Sequence, residues 1–506
     1  MSQLKKGALL SYTTIFLTNI IGLILTPFII KSLGDAEYGL YALIGAFVGY
    51  ISVLDFGLNN TIVRFVAKYR AKKDKKGEEN FLAITMSIYG VISLTIVALG
   101  VVLYFNLDSI FSNSLTFEEL DKAKIMFIIL IFNLVITLPG GAFTAICTGY
   151  EHFVFPRTIN IVRYIFRSAM VVGLLMLEGG AIGLVLLDTV MNIVVITLNS
   201  VYVFKKLKIT FKIHEFQTPL VKEIFSYSIW IFIFALVGQF QWKAGQIVLG
   251  TLTNTTSVAI YAIGIMLGTY YGAFSTAISG VFLPTATRMS FAGASGKDFT
   301  LVMIKVGRLS LLVLLAILGG FLLYGKQFIT LWLGENYLDS WLIALVIMIG
   351  YTIPLIQAFA NQILEAKGKF AYKAIIYITF ITIGTVCGGL LLPKFGIKGM
   401  AIGTTSGWLI GILIMNFYYQ KVLKLEILSF FKSVAFKIMP SFILVIIFGY
   451  FINKIQGHNW FNLVLKIMSF TFVYLIILYF FGTKISEKII FKRLFSFNLK
   501  TKDVKN

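Results

Sequence analysis

The sequence predicts an all-α polytopic membrane protein, and three observations carry that reading. About fourteen apolar stretches run from Gly7 to Gly482, each near the ~20 residues that take a helix across the hydrocarbon core. Lys and Arg collect in every second gap between them, as they do when basic loops are retained on the cytoplasmic side during insertion. The chain is 58% hydrophobic and only 13% charged, whereas a soluble domain carries about a quarter charged residues.

Taken in order, span 1 (7–31) follows Lys5-Lys6. It is too long for a cleaved signal and lacks a small-residue cleavage site, so it is expected to stay as a helix. Span 2 (38–62) runs into the first strongly basic gap, with Arg64, Lys68, Arg70, Lys72, Lys73, Lys75 and Lys76. Spans 3 (81–104) and 4 (123–148) flank an acidic gap from Asp108 to Asp121. Spans 5 (158–177) and 6 (180–203) lead to Lys205, Lys206, Lys208, Lys212 and Lys222. Spans 7 (225–250) and 8 (257–284) lead to Arg288 and Lys297, and spans 9 (301–324) and 10 (341–363) to Lys367, Lys369 and Lys373. Spans 11 (373–392) and 12 (399–420) lead to Lys421, Lys424, Lys432 and Lys437. Spans 13 (437–453) and 14 (460–482) precede a basic tail. Odd-numbered gaps are short or acidic, as at Asp35 to Glu37, so both termini are expected on the cytoplasmic side.

The formal net charge of +22 follows this topology rather than one folded patch, which argues against a nucleic-acid partner. Loops so charged are suited to membrane lipids with anionic headgroups. Cys147 and Cys387 both fall in apolar helices and read as core thiols without a disulfide framework. No gap is long enough to fold as a soluble domain.

An internal echo recurs at an offset of about 220 residues, a kind of period found in transporters. Leu40-Tyr41-Ala42-Leu43 returns as Ile260-Tyr261-Ala262-Ile263, and Thr61-Ile62-Val63-Arg64 as Thr285-Ala286-Thr287-Arg288. Pro139 with Ala142-Phe143 returns as Pro354 with Ala358-Phe359, and Ala181-Ile182-Gly183 as Ala401-Ile402-Gly403. The echo divides the chain into two pseudo-symmetric six-helix bundles, 1–215 and 216–424, an extra helix pair, 425–482, and a cytoplasmic tail, 483–506. An even number of spans per repeat relates the bundles by an axis along the membrane normal, with a central cavity expected between them.

Arg163 and Arg167 stand four residues apart in span 5 and share a helix face. Arg167 falls near mid-bilayer, where an Arg costs about 2.5–3.5 kcal/mol and usually faces protein or water. Its permanently charged fork suits phosphate. Arg163 reads equally as a residue that snorkels to the surface. Gln239, Lys243 and Gln246 follow helical spacing in span 7, forming a polar stripe suited to a wet cavity; Lys243 at the outer interface is the alternative. Asp188 in span 6 reads first as a structural partner of an arginine, second as an ion-coupling group. Asp55 and Arg64 close span 2, and Arg64 with its echo Arg288 reads as topology anchors or gate ion-pair members. Asn133 with Thr137, Gln357 with Asn361, and Thr404-Thr405-Ser406 read as helix–helix hydrogen-bonding groups. Pro27, Pro139, Pro284 and Pro354 allow helix bends. His152, His214 and His458 are far apart, and no metal-spaced cluster, phosphate-cradling loop or nucleophile elbow appears, so the chain is not expected to be an enzyme.

Leu33-Gly34-Asp35-Ala36-Glu37-Tyr38-Gly39-Leu40-Tyr41 and the run from Ser52 through Asp55, Gly57 and Arg64 to Ala67 resemble polysaccharide repeat-unit flippases. Thr148-Gly149-Tyr150-Glu151, Leu331-Trp332-Leu333-Gly334-Glu335 and the run from Glu365 to Lys369 resemble the same family. The resemblance covers spans 1–12 and is most specific near the N-terminus. It implies the O-antigen, teichoic-acid and exopolysaccharide flippase group of the multidrug/oligosaccharidyl-lipid/polysaccharide exporter superfamily. Lipid II flippases of that superfamily resemble the chain less, because span 1 has no internal arginine. The family implies two six-helix bundles around a cavity, often with two C-terminal helices, in a bacterial cytoplasmic membrane. It implies transfer of undecaprenyl-diphosphate-linked oligosaccharide between leaflets, with other polysaccharide-assembly proteins as further partners. Alternating access driven by a proton or sodium gradient is the expected mechanism, with no cofactor and with the coupling ion undetermined. The family motif does not assign Arg163, Arg167 or Lys243, which rest on the depth argument. A drug/cation antiporter of the same superfamily is the runner-up and would need buried carboxylates, of which there are few. A membrane glycan polymerase would need a large outer loop, and a non-transporting scaffold would leave the mid-span arginines without purpose.

Overall fold

The computed structural model describes residues 3–215, 218–280, 282–367, 371–455 and 457–483. The predicted tail beyond Thr483 and the basic residue Lys369 lie outside the described residues. Among the described residues the chain is helical and has no strands: α1 Gln3–Leu33, α2 Asp35–Ile51, α3 Leu58–Lys72, α4 Lys75–Phe111, α5 Phe117–Gly149, α6 Val154–Met176, α7 Gly180–Val201, α8 Thr218–Leu252, α9 Thr255–Gly280, α10 Leu283–Phe291, α11 Gly296–Leu333, α12 Leu338–Ile356, α13 Ala358–Ala366, α14 Ala371–Phe395, α15 Ile397–Val422, α16 Ile427–Ala435, α17 Ile438–Asn453 and α18 Trp460–Ile477. Fourteen segments among them are long and apolar enough to cross a membrane, one for each predicted span. The chain is a multi-pass membrane protein.

Helix starts follow local chemistry. Thr116 and Glu119 form a capping box that opens α5, and Ser295 and Asp298 form one that opens α11. Asp74 accepts the Gly77 amide at 2.9 Å to open α4. Pro27, Pro139 and Pro354 all sit inside helices.

Span 2 is not one continuous helix. It breaks between α2 and α3, where Phe56 and Gly57 take φ of 49° and 68°. Gly57 also meets α8 so closely that a Cβ there would stand 2.3 Å from Ile231 Cγ2. Positive φ and lack of room together require glycine at this point. Phe56 stacks on Phe232 with centroids 4.7 Å apart, and Asp55 accepts the Tyr89 hydroxyl at 2.8 Å and the Asn59 amide at 3.2 Å.

The described residues pack as two compact units that interleave along the chain. The first comprises Met1–Tyr270, Leu342–Gly350 and Lys369–Met415; the second comprises Tyr271–Trp341, Tyr351–Gly368 and Asn416–Asn506. In the first, α5 packs on α3, α4 and α7, α1 on α6, and α8 on α2 and α14. Glu37 ties three elements together: its Oε1 accepts the Ala181 amide at the start of α7 (2.7 Å), and its Oε2 meets Lys122 Nζ of α5 (2.6 Å). The Leu33–Tyr41 motif is thus in part a packing device. α14 and α15 approach through glycines, and a Cβ on Gly403 would lie 2.3 Å from Gly388 Cα, the small-residue packing that lets membrane helices come close.

In the second unit, α11 carries α16, α17 and α18, and α10 packs on α13. Arg308 of α11 is buried and donates to the Ser433, Phe436 and Gly482 carbonyls, each at 3.0 Å. Lys466 of α18, also buried, reaches Gln327 Oε1 at 3.1 Å, and the Tyr324 hydroxyl donates to the Gly449 carbonyl at 3.0 Å. Neither Arg308 nor Lys466 belongs to a motif or polar stripe that marks it in the sequence.

Apolar side chains such as Leu94, Val102 and Phe105 on α4 are exposed, as a lipid-facing surface requires. Cys147 is buried, whereas Cys387 is exposed and so is not a core thiol; both are free. Cys387 sits on an outward face of α14, a rotation that an evenly apolar helix does not reveal.

Candidate functional site

The first unit holds a cavity of about 400 Å³ whose largely apolar lining carries several polar side chains. α2 contributes Tyr38, Tyr41, Ala42 and Gly45, one helical face at i, i+3, i+4 and i+7. α9 contributes Ala262, Ile265, Met266 and Thr269 with the same spacing. Ala42 and Ala262 are equivalent positions of the internal echo, so both echoed segments turn corresponding faces to one space. α7 adds Val185 and Asp188, and α8 adds Lys243 and Gln246.

The charges in and around this cavity do not cancel. Arg167 engages both carboxylate oxygens of Asp188. Arg167 Nη2 donates to Asp188 Oδ2 at 2.8 Å, and Arg167 Nε donates to Asp188 Oδ1. Both side chains stay about a fifth exposed, at 20% and 22%. The Tyr41 hydroxyl approaches Asp188 Oδ2 at 3.5 Å. Lys243 lines the same cavity and has no hydrogen-bond or ion-pair partner among the described residues. Gln246 is buried, with Oε1 lacking a donor among the described residues. One turn before Arg167, the Nε of Arg163 is buried and lacks an acceptor among the described residues. One carboxylate therefore faces two nearby positive groups, with the Arg163 guanidinium on the same helix face as Arg167.

The structure thus brings together Lys243, Gln246, Asp188 and, through Asp188, Arg167. Gln239 is not among the lining residues; its Oε1 packs beside Gly49 of α2. Asp55 is held at the α2–α3 break by Tyr89 and Asn59. Arg64 lines a separate pocket of about 280 Å³ with Glu223, Ser226 and Trp230, and neighbouring Lys68 pairs with Glu223 at 2.9 Å. Arg288 is exposed on α10 in the second unit. The aromatic contribution of Tyr38 and Tyr41 was not anticipated; their i, i+3 spacing beside the echo was its only sequence signal.

Other polar groups are tied locally. Asn192 bonds Asn133 at 2.9 Å, Gln357 bonds Asn416 at 2.8 Å, and His152 meets the Tyr202 hydroxyl at 2.7 Å. Arg70 donates to the Gly149 carbonyl at 2.9 Å and lies over the Tyr150 ring at 4.3 Å, so the Thr148–Glu151 motif also holds helix ends together. Among the described residues no group of three His, Cys, Asp or Glu is placed to hold a metal ion.

Comparison with known proteins agrees with this architecture. The family described as polysaccharide biosynthesis protein matches residues 4–290. A Shigella flexneri protein named as an O-antigen transporter is 22% identical over 409 residues, spanning 78% of this chain and 92% of its own. Among solved structures, the lipid II flippase MurJ in an inward closed conformation superposes with a TM-score of 0.70 at 18% identity, over 96% of this chain and 99% of that one. A multidrug resistance transporter of the MATE family and MOP superfamily, in an inward-facing conformation, gives a TM-score of 0.60 at 15% identity, over 83% and 95%.

Proposed function

The chain belongs to the polysaccharide biosynthesis protein family, and on that premise we propose that it is a flippase. Its cargo is an undecaprenyl-diphosphate-linked oligosaccharide repeat unit, carried across the bacterial cytoplasmic membrane by alternating access. The observation that carries the proposal is the cavity in which Lys243 lacks a counter-ion beside the Arg167–Asp188 pair. A diphosphate cannot enter hydrocarbon with its charge uncompensated. A fixed ammonium supplies compensation, Gln246 and the Tyr38 and Tyr41 hydroxyls offer hydrogen bonds to sugar, and the polyprenyl tail stays in the lipid. The cavity is within the usual ~300–1,000 Å³ of small-molecule sites, enough for a headgroup rather than a polymer. The relative named as an O-antigen transporter supports this cargo class. A proton or sodium gradient is the proposed energy source, and the termini are proposed to face the cytoplasm.

The test is transfer in liposomes. Purified protein is offered a fluorescent undecaprenyl-diphosphate oligosaccharide, and its exposure in the far leaflet is measured with and without ion gradients. Transfer above empty liposomes is expected, and its absence under every gradient refutes the reading. A drug/cation antiporter has one observation in its favour, the intramembrane carboxylates Asp55 and Asp188. Gradient-driven efflux of an organic cation without movement of the lipid-linked glycan would establish that reading instead.

A further inference from the structure

The second unit carries a groove that the cargo cavity does not use. It has a volume of about 590 Å³ and is lined by Lys432, Phe436, Lys437, Met439, Leu444 and Phe481 among others, with no carboxylate among the described lining residues. We propose that it binds a membrane phospholipid with an anionic headgroup, the phosphate between Lys432 and Lys437 and an acyl chain along Met439, Leu444 and Phe481.

The depth of the groove comes from α11. Between Arg308 and Lys326 the helix carries no charged residue. That run of 309–325 spans about 25 Å as a helix, close to the ~30 Å of the hydrocarbon core. Arg308 therefore marks one membrane boundary. Its guanidinium is bonded to the Ser433, Phe436 and Gly482 carbonyls, which places the end of α16 and the residues just after α18 at the same depth. The groove adjoins these residues and so opens where phospholipid headgroups lie.

The charge follows from the same contacts. Carbonyls at a helix C-terminus repel anions. Here Arg308 covers those at the end of α16, leaving the Lys432 and Lys437 ammonium groups to set the sign. Both lysines are exposed and neither is ion-paired among the described residues; Lys437 lies over the Phe436 ring at 5.8 Å. Phe436, Met439, Leu444 and Phe481 are 58%, 40%, 45% and 65% exposed, giving an apolar wall next to a cationic rim. That combination fits a lipid better than a soluble anion. The chain's own terminus is a poor occupant, because it carries Lys484, Lys488, Lys492 and Arg493 against a single nearby acid, Glu487. The inference requires only that the chain spans a membrane and is independent of the cargo.

The experiment places the full chain in nanodiscs of equal phosphatidylglycerol and phosphatidylcholine, releases it, and counts retained lipids by native mass spectrometry. Wild type is expected to retain phosphatidylglycerol preferentially. Lys432→Gln with Lys437→Gln should lower that preference by roughly five-fold per lysine, Lys432→Arg with Lys437→Arg should keep it, and Lys205→Gln with Lys206→Gln should leave it unchanged. Equal retention of the two lipids by wild type, or an unchanged preference in the double Gln variant, overturns the proposal. So does an equal loss in the Lys205/Lys206 variant, which would show a diffuse charge effect. Glycerol phosphate binding as tightly as the lipid would show a soluble-anion site and would also overturn it.

Discussion

Arg167 and Asp188 grip each other across α6 and α7 through two hydrogen bonds, one of them 2.8 Å, while Lys243 in the same cavity region has no acidic partner among the described residues. The pair makes one arginine tolerable within the membrane, and the lysine leaves the cavity cationic. Removing one partner of a fully buried pair costs about 3–5 kcal/mol. This pair is about a fifth exposed, so Asp188→Asn should cost less, about 2 kcal/mol, by destabilising Arg167. Arg167→Gln with Asp188→Asn should recover part of that loss. Thermal unfolding of the detergent-solubilised single and double variants checks this, and additive losses would show that the two side chains act independently.

Arg167→Ala is expected to abolish transport while leaving insertion normal. Glycan exposure in the far leaflet, measured beside membrane-fraction abundance, separates the two effects. Wild-type transport in this variant would remove Arg167 from the working cavity.

Lys243→Gln should cut transport at least ten-fold, and Lys243→Arg should retain most of it, because the requirement is for charge rather than for an ammonium as such. The comparison is made in liposomes at matched protein content. Equal loss in both variants would point to packing instead of charge.

Gly57→Ala should destabilise the chain by about 1–3 kcal/mol, since a side chain there meets Ile231 and is strained at a φ of 68°. A lowered melting temperature checks it. Gly238→Ala, where nothing stands within 4 Å of a new Cβ, should melt near wild type.

Glu37→Ala should cost about 1–2 kcal/mol, as the Ala181 amide loses its acceptor at the start of α7 and Lys122 loses its ion pair. Glu37→Gln should recover the amide contact but not the ion pair, giving an intermediate melting temperature.

How far the site was legible depended on the residue. Lys243 and Gln246 announced themselves as polar groups in an apolar span, and both line the cavity. Gln239 carried the same signal, yet packs beside Gly49. Arg308 stands as a charge within span 9, and its guanidinium is bonded to the Ser433, Phe436 and Gly482 carbonyls. Its acceptors are backbone carbonyls more than a hundred residues away, and carbonyls have no signature in a sequence.

The sequence by itself determined that the chain is helical and crosses a membrane fourteen times. Those properties are sums over neighbouring residues: hydropathy over about twenty positions makes a span, and the absence of bulk water obliges the backbone to bond within it. Tertiary structure alone decided which arginine Asp188 meets, that Lys243 remains without an acid among the described residues, that Asp55 is held by Tyr89, and that Cys387 faces outward. Those outcomes depend on how each helix is rotated about its axis and which neighbour it meets. Spans that are apolar on every side leave that rotation open until glycines, capping carboxylates and buried arginines lock the helices against one another.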